Sequence, residues 1–105
     1  MDEKRLQELL EQAVVDCYDE EEEFGGMLCT LEDNLSFPLQ AEAMGEPVEV
    51  IGLDGRRSSL RRGIVARVRK GDKEYTVGLS ELAIIDPDPD SADWLAMYRH
   101  WADED

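Results

Sequence analysis

The chain has 105 residues, 42% of them hydrophobic and 35% charged, a composition that suits one folded domain with a modest core. Its 26 acids against 11 bases leave a formal net charge of −15, which repels phosphate and excludes general electrostatic binding of nucleic acid. No apolar run reaches membrane-spanning length, and Met1-Asp2-Glu3 opens no basic and apolar leader, so a cytoplasmic monomer off the membrane is expected.

The charge is uneven. Residues 1–47 carry a net −12, residues 48–85 a net +3 and residues 86–105 a net −6. Two acidic arms therefore flank a mildly basic middle, and cations or a basic protein are the partners this pattern favours. Cys17 and Cys29 have no CxxC spacing and no neighbouring His, which argues against zinc. Both fall in apolar-patterned positions and read as buried thiols.

In chain order, Leu6, Leu9, Leu10, Ala13, Val14 and Cys17 follow helical spacing, which predicts one amphipathic helix over residues 3–23. Gly25-Gly26 is expected to break it, and Leu28, Leu31 and Leu35 suggest a short second helix over 27–35. From Phe37 the period changes to two. Leu39, Ala41 and Ala43, then Val48 and Val50, alternate with polar neighbours. Ile64, Ala66 and Val68 do the same, Lys70-Gly71-Asp72-Lys73 is a hairpin signal, and Tyr75, Val77 and Leu79 line the return strand. Asp54-Gly55-Arg56-Arg57 reads as a loop tip, and Leu82 to Ile85 as a short final strand.

Five short antiparallel strands in so few residues have the size of a small SH3-like barrel. Ser91 is the expected cap of a last helix carrying Trp94, Met97, Tyr98 and Trp101 on one side. The predicted class is α+β: N-terminal helix, short second helix, five-stranded barrel and C-terminal helix. It forms one domain over 1–105, comprising an acidic helical arm (1–35), the barrel (36–85), and an acidic linker with the last helix (86–105).

The acidic run Asp19 to Glu23 is the first place where chemistry can sit. At a helix C-terminus it would meet the negative end of the macrodipole, and like charges three and four apart repel. Glu21, four after Cys17 and three before Phe24, falls in the apolar register. If the two helices fold back on each other, Asp16, Asp19, Glu20 and Glu32 converge. Calcium takes six to eight oxygen ligands and suits such a set. From the run alone, however, a solvated acidic face is the more economical account.

Asp86-Pro87-Asp88-Pro89-Asp90 is a second candidate, since prolines hold a chain extended and side chains two apart then point the same way. It is no EF-hand, because the sixth position from Asp86 is Ser91 rather than Gly and the twelfth is Met97 rather than Glu. A stiff acidic connector favouring the start of the last helix explains it equally well. The basic strip Arg56, Arg57, Arg61, Arg62, Arg67, Arg69 and Lys70 lacks interleaved aromatics and reads as the complement of an acidic arm. Catalytic residues are not expected. His100 has no sequence-local partner, and no phosphate loop or nucleophile elbow is present.

The segments Asp16-Cys17-Tyr18-Asp19-Glu20-Glu21-Glu22 and Leu31-Glu32-Asp33-Asn34-Leu35-Ser36-Phe37-Pro38, with Val48-Glu49-Val50-Ile51-Gly52 and the late Trp-rich helix, resemble the small acidic calcium-binding proteins of cyanobacteria, the CcbP family. The similarity runs from about Ala13 to Trp101. It departs at Cys17, Glu23 and the stretch Met27 to Cys29, where that family often has Ala, a base and aromatics.

The resemblance implies a cytosolic, non-enzymatic protein that binds Ca²⁺ and buffers or senses it, in calcium signalling or homeostasis. By position, Asp16, Asp19, Glu20, Glu21, Glu32 and Asp33 carry the family's acidic motif and form the expected first metal site. Asp86, Asp88 and Asp90 are the candidate second one, inferred from the residues rather than from the family. The competing expectation is an acidic SH3-like interaction module that binds a basic protein partner with or without calcium.

Overall fold

A computed structural model describes residues 3–15 and 17–103. The chain divides into two compact units, residues 1–35 with 88–105, and residues 36–87.

The first unit is helical: α1 (Glu3–Ala13), α2 (Glu20–Asn34) and α3 (Pro89–Asp103). The single helix expected over 3–23 is in fact two. α1 stops at Ala13, and a short linker leads to Asp19, which starts α2. The glycine pair lies inside α2 and does not break it. Gly26 faces the end of α1 so closely that a Cβ there would meet the Ala13 carbonyl oxygen at 2.5 Å and the Cys17 sulfur at 3.2 Å. Packing against a neighbour thus overrides the poor helix propensity of glycine.

α3 packs on both other helices. Leu9, Ala13, Phe24, Met27, Leu31, Leu95, Met97 and Tyr98 are buried, and the Trp101 ring stands 6.4 Å from Phe24 and 6.2 Å from Tyr98. Arg5 reaches across from α1 to Asp93 on α3 at 3.7 Å. Asp88, not Ser91, caps α3. Its carboxylate accepts the Ser91 backbone N–H at 3.1 Å, Pro89 takes the first helical position, and Ser91 is fully buried. The cysteines differ from expectation as well, Cys17 being half-buried and Cys29 exposed on α2.

The second unit is an antiparallel sheet of β1 (Leu39–Ala43), β2 (Glu46–Leu53), β3 (Val65–Lys70), β4 (Lys73–Gly78) and β5 (Ala83–Ile84). The strand order β4-β3-β2-β1-β5 leaves β4 and β5 at opposite edges, so the five strands form an open sheet and not a closed barrel. β1 shows the expected alternation, with Leu39, Ala41 and Ala43 buried and Gln40 and Glu42 exposed. Met44 and Gly45 turn from β1 to β2 with φ of 53° and 81°, and Gly71 serves the β3–β4 turn at 61°. The register shifts between Val50 and Gly52, where β2 bulges against β3.

Candidate metal site

The acidic run stands at the start of α2, not at the end of α1. This reverses its electrostatics. Asp19 is the N-cap, and its Oδ1 accepts the Glu22 backbone N–H at 2.8 Å. Glu22 Oε2 in turn accepts the Tyr18 N–H at 3.0 Å. The pair forms a variant of the capping box, one residue displaced on the return bond. Glu20, Glu21, Glu22 and Glu23 fill the first turn, where the positive end of the macrodipole favours carboxylates by roughly 0.3–1 kcal/mol each. The helix thus offsets part of the repulsion that the run creates. Asp19-x-x-Glu22 before Phe24 was the sequence signal for this start.

Two members of the run are therefore engaged with backbone, and three are not. The Glu20, Glu21 and Glu23 carboxylates make no hydrogen bond or ion pair among the described residues. Glu21, placed in the apolar register by a continuous helix over 3–23, is exposed, because α2 begins a new phase at Asp19. Beside the run Tyr18 is 87% exposed and Val15 66%, so two apolar side chains sit in solvent among acids. A shallow groove of about 460 Å³ lined by Glu8, Glu11, Gln12 and Val15 continues that surface.

The fold-back that would bring Glu32 and Asp33 to the run does not occur. Glu20 to Asn34 is one continuous helix, so Glu32 lies twelve residues, about 18 Å of rise, from Glu20. Both Glu32 and Asp33 are exposed near the far end of α2. Asp16 lies outside the described residues. Among the described residues, no group of three or more His, Cys, Asp or Glu side chains is close enough to hold a metal ion. The donor chemistry of the run suits a hard cation that keeps several waters. The described residues do not assemble a complete protein cage there.

The second candidate is also rearranged. Asp86 has a φ of 44°, Asp88 is occupied as the α3 cap, and Asp90 is in the first helical turn. The extended alternation that would aim Asp86, Asp88 and Asp90 alike is absent.

The charge divides along the structural boundary. The helical unit holds eighteen acids and three bases, for a net −15, while the sheet unit holds eight of each and is neutral. Most of the basic strip pairs within its own unit: Arg67 with Glu74 at 3.1 Å, Arg57 with Asp54 at 3.4 Å, Arg69 with Glu49, and Lys70 with Glu46.

Comparisons agree with the sequence motif. The family model for CcbP, described as calcium binding, matches residues 7–102. No curated protein matches the chain. Among solved structures, the chain is similar to the crystal structure of Anabaena CcbP, at 28% identity and a TM-score of 0.81 over 96% of this chain and 90% of that one. It is also similar to a structure described as a calcium-binding protein in the calcium-binding form, at 26% identity and a TM-score of 0.79 over 98% and 92%.

Proposed function

The chain belongs to the CcbP family of calcium-binding proteins, and from that premise we propose that it binds Ca²⁺ through its helical unit and acts as a buffer or sensor without EF-hands. One observation carries the location: the entire net charge of −15 sits on that unit, and its densest part is the run at the start of α2.

One or two of the free carboxylates of Glu20, Glu21 and Glu23, together with Asp16 and retained waters, are the ligands proposed, since no three of the described side chains are close enough to hold the ion by themselves. Asp19 and Glu22 primarily position the turn, through their bonds to the Glu22 and Tyr18 N–H groups. Glu32 and Asp33, at the far end of α2, are a separate locus in this reading. A bound divalent cation supplies positive charge that relieves repulsion among the carboxylates, and binding to the folded state alone stabilises it. Magnesium competes poorly in this reading, because it demands tight octahedral geometry and dehydrates reluctantly.

Calorimetric titration of metal-free protein with Ca²⁺ and then Mg²⁺ tests the proposal. Saturable heat for Ca²⁺ is expected, reduced by Glu20→Gln with Glu21→Gln and little changed by Glu32→Gln with Asp33→Asn. Heat that simply tracks ionic strength would sink it.

A second reading rests on Val15 and Tyr18, exposed apolar side chains on a strongly acidic surface. They fit a basic protein segment with an apolar anchor. That binding is expected to persist in EGTA, which separates it from calcium binding.

A further inference from the structure

The loop between β2 and β3 carries Arg56-Arg57-Ser58-Ser59-Leu60-Arg61-Arg62. It is built, not loose. Asp54 Oδ1 accepts the backbone N–H groups of Arg56 at 3.1 Å and Arg57 at 3.2 Å. Ser58 is committed to the framework, its hydroxyl donating to the Asp54 carbonyl at 2.7 Å and accepting the Val65 N–H at 2.8 Å. Ser59 and Gly63 close the tip by exchanging two backbone hydrogen bonds, with Gly63 at a φ of 81°.

Ser59 differs from Ser58. Its hydroxyl accepts only the Arg62 N–H, at 3.1 Å, and its own proton has no acceptor among the described residues. Leu60, the next residue, is 43% exposed although apolar. The guanidinium of Arg57 is paired with Asp54, but those of Arg56, Arg61 and Arg62 form no ion pair among the described residues. In a chain with 26 acids and 11 bases, three unpaired guanidiniums within seven residues leave a local cationic site on a neutral unit.

From these observations we propose that Ser59 is a phosphorylation site for an arginine-directed protein kinase. Two arginines precede the hydroxyl by three and two positions, and an exposed apolar side chain follows it. Acidic pockets on a kinase can read the first pair, and an apolar pocket the Leu60 side chain. In the transfer, Ser59 Oγ attacks the γ-phosphorus of ATP. The Oγ–P bond forms as the bond to the β–γ bridging oxygen breaks, ADP leaves, and the hydroxyl proton passes to the kinase's carboxylate base. The product adds close to two negative charges and three acceptor oxygens beside Arg56, Arg61 and Arg62, which pair with them by charge-assisted hydrogen bonds.

The test incubates the full chain with Mg·ATP and the catalytic subunit of cAMP-dependent protein kinase, followed by peptide mass spectrometry. A single phosphate on Ser59 is expected, lost in Ser59→Ala. Arg56→Gln, at an exposed and unpaired position, is expected to slow incorporation by roughly tenfold, one lost charge-assisted contact. Label on Ser58, or label on the urea-unfolded chain and none on the folded one, overturns the proposal. So does an Arg56→Gln rate equal to that of the parent.

Discussion

Gly26 and Ala13 touch through backbone. A Cβ on Gly26 would stand 2.5 Å from the Ala13 carbonyl oxygen, whereas one on Gly25 would meet nothing within 4 Å. The second turn of α2, directly after the acid run, therefore lies against the end of α1 only because a side chain is absent at Gly26.

The adjacent glycines should respond with opposite signs. Gly25→Ala gains helix propensity at no steric cost and is expected to stabilise by up to about 1 kcal/mol. Gly26→Ala gains the same propensity but forces α1 and α2 apart, and overpacking of about 1–3 kcal/mol outweighs it. Urea unfolding of both variants reads the difference. Equal shifts would mean that the close approach does not exist.

Asp19 holds the start of α2, so Asp19→Ala should cost about 1 kcal/mol and Asp19→Asn only a few tenths, because the amide oxygen still accepts the Glu22 N–H. Measuring Ca²⁺ affinity on the stable Asp19→Asn protein then separates a positioning role from direct ligation. A large affinity loss with intact stability would make Asp19 a ligand.

Leu31 and Met97 are fully buried in the helical unit. Truncating either to Ala should cost about 2–5 kcal/mol, by lost transfer energy and the cavity left behind. Chemical denaturation checks this, and a cost under about 1 kcal/mol would contradict such packing.

Calcium should stabilise the protein beyond simple screening. At a hundred times its dissociation constant, a ligand bound only by the folded state adds about 2.7 kcal/mol. Thermal unfolding in CaCl₂ is to be compared with KCl of equal ionic strength. KCl also stabilises, by screening the self-repulsion of a unit with net charge −15. Coincident curves would reduce the calcium effect to counterion screening.

What the sequence by itself determined was whatever is written as a local period or a turn. Leu39, Ala41 and Ala43 alternate, and Lys70-Gly71-Asp72-Lys73 turns, because side-chain direction and permitted φ are short-range properties. The acid motif around Asp19 also led to the correct family, since carboxylate density is visible without a fold.

Only the tertiary structure decided where the helices begin and what the acids face. Gly25-Gly26 looked like a break because propensity favours one, yet the pair is helical, and position 26 takes glycine because Ala13 comes so near that a side chain there would collide. With α1 ending at Ala13 and Asp19 capping α2, Asp19 to Glu23 stand at the favourable end of a helix instead of the unfavourable one. By making Glu20–Asn34 continuous, the structure also separated Glu32 and Asp33 from the run. Convergence of charges is a property of distance in space, which spacing along the chain does not report. The sheet stayed open for a similar reason: closure depends on whether β4 and β5 meet, and no local pattern encodes that.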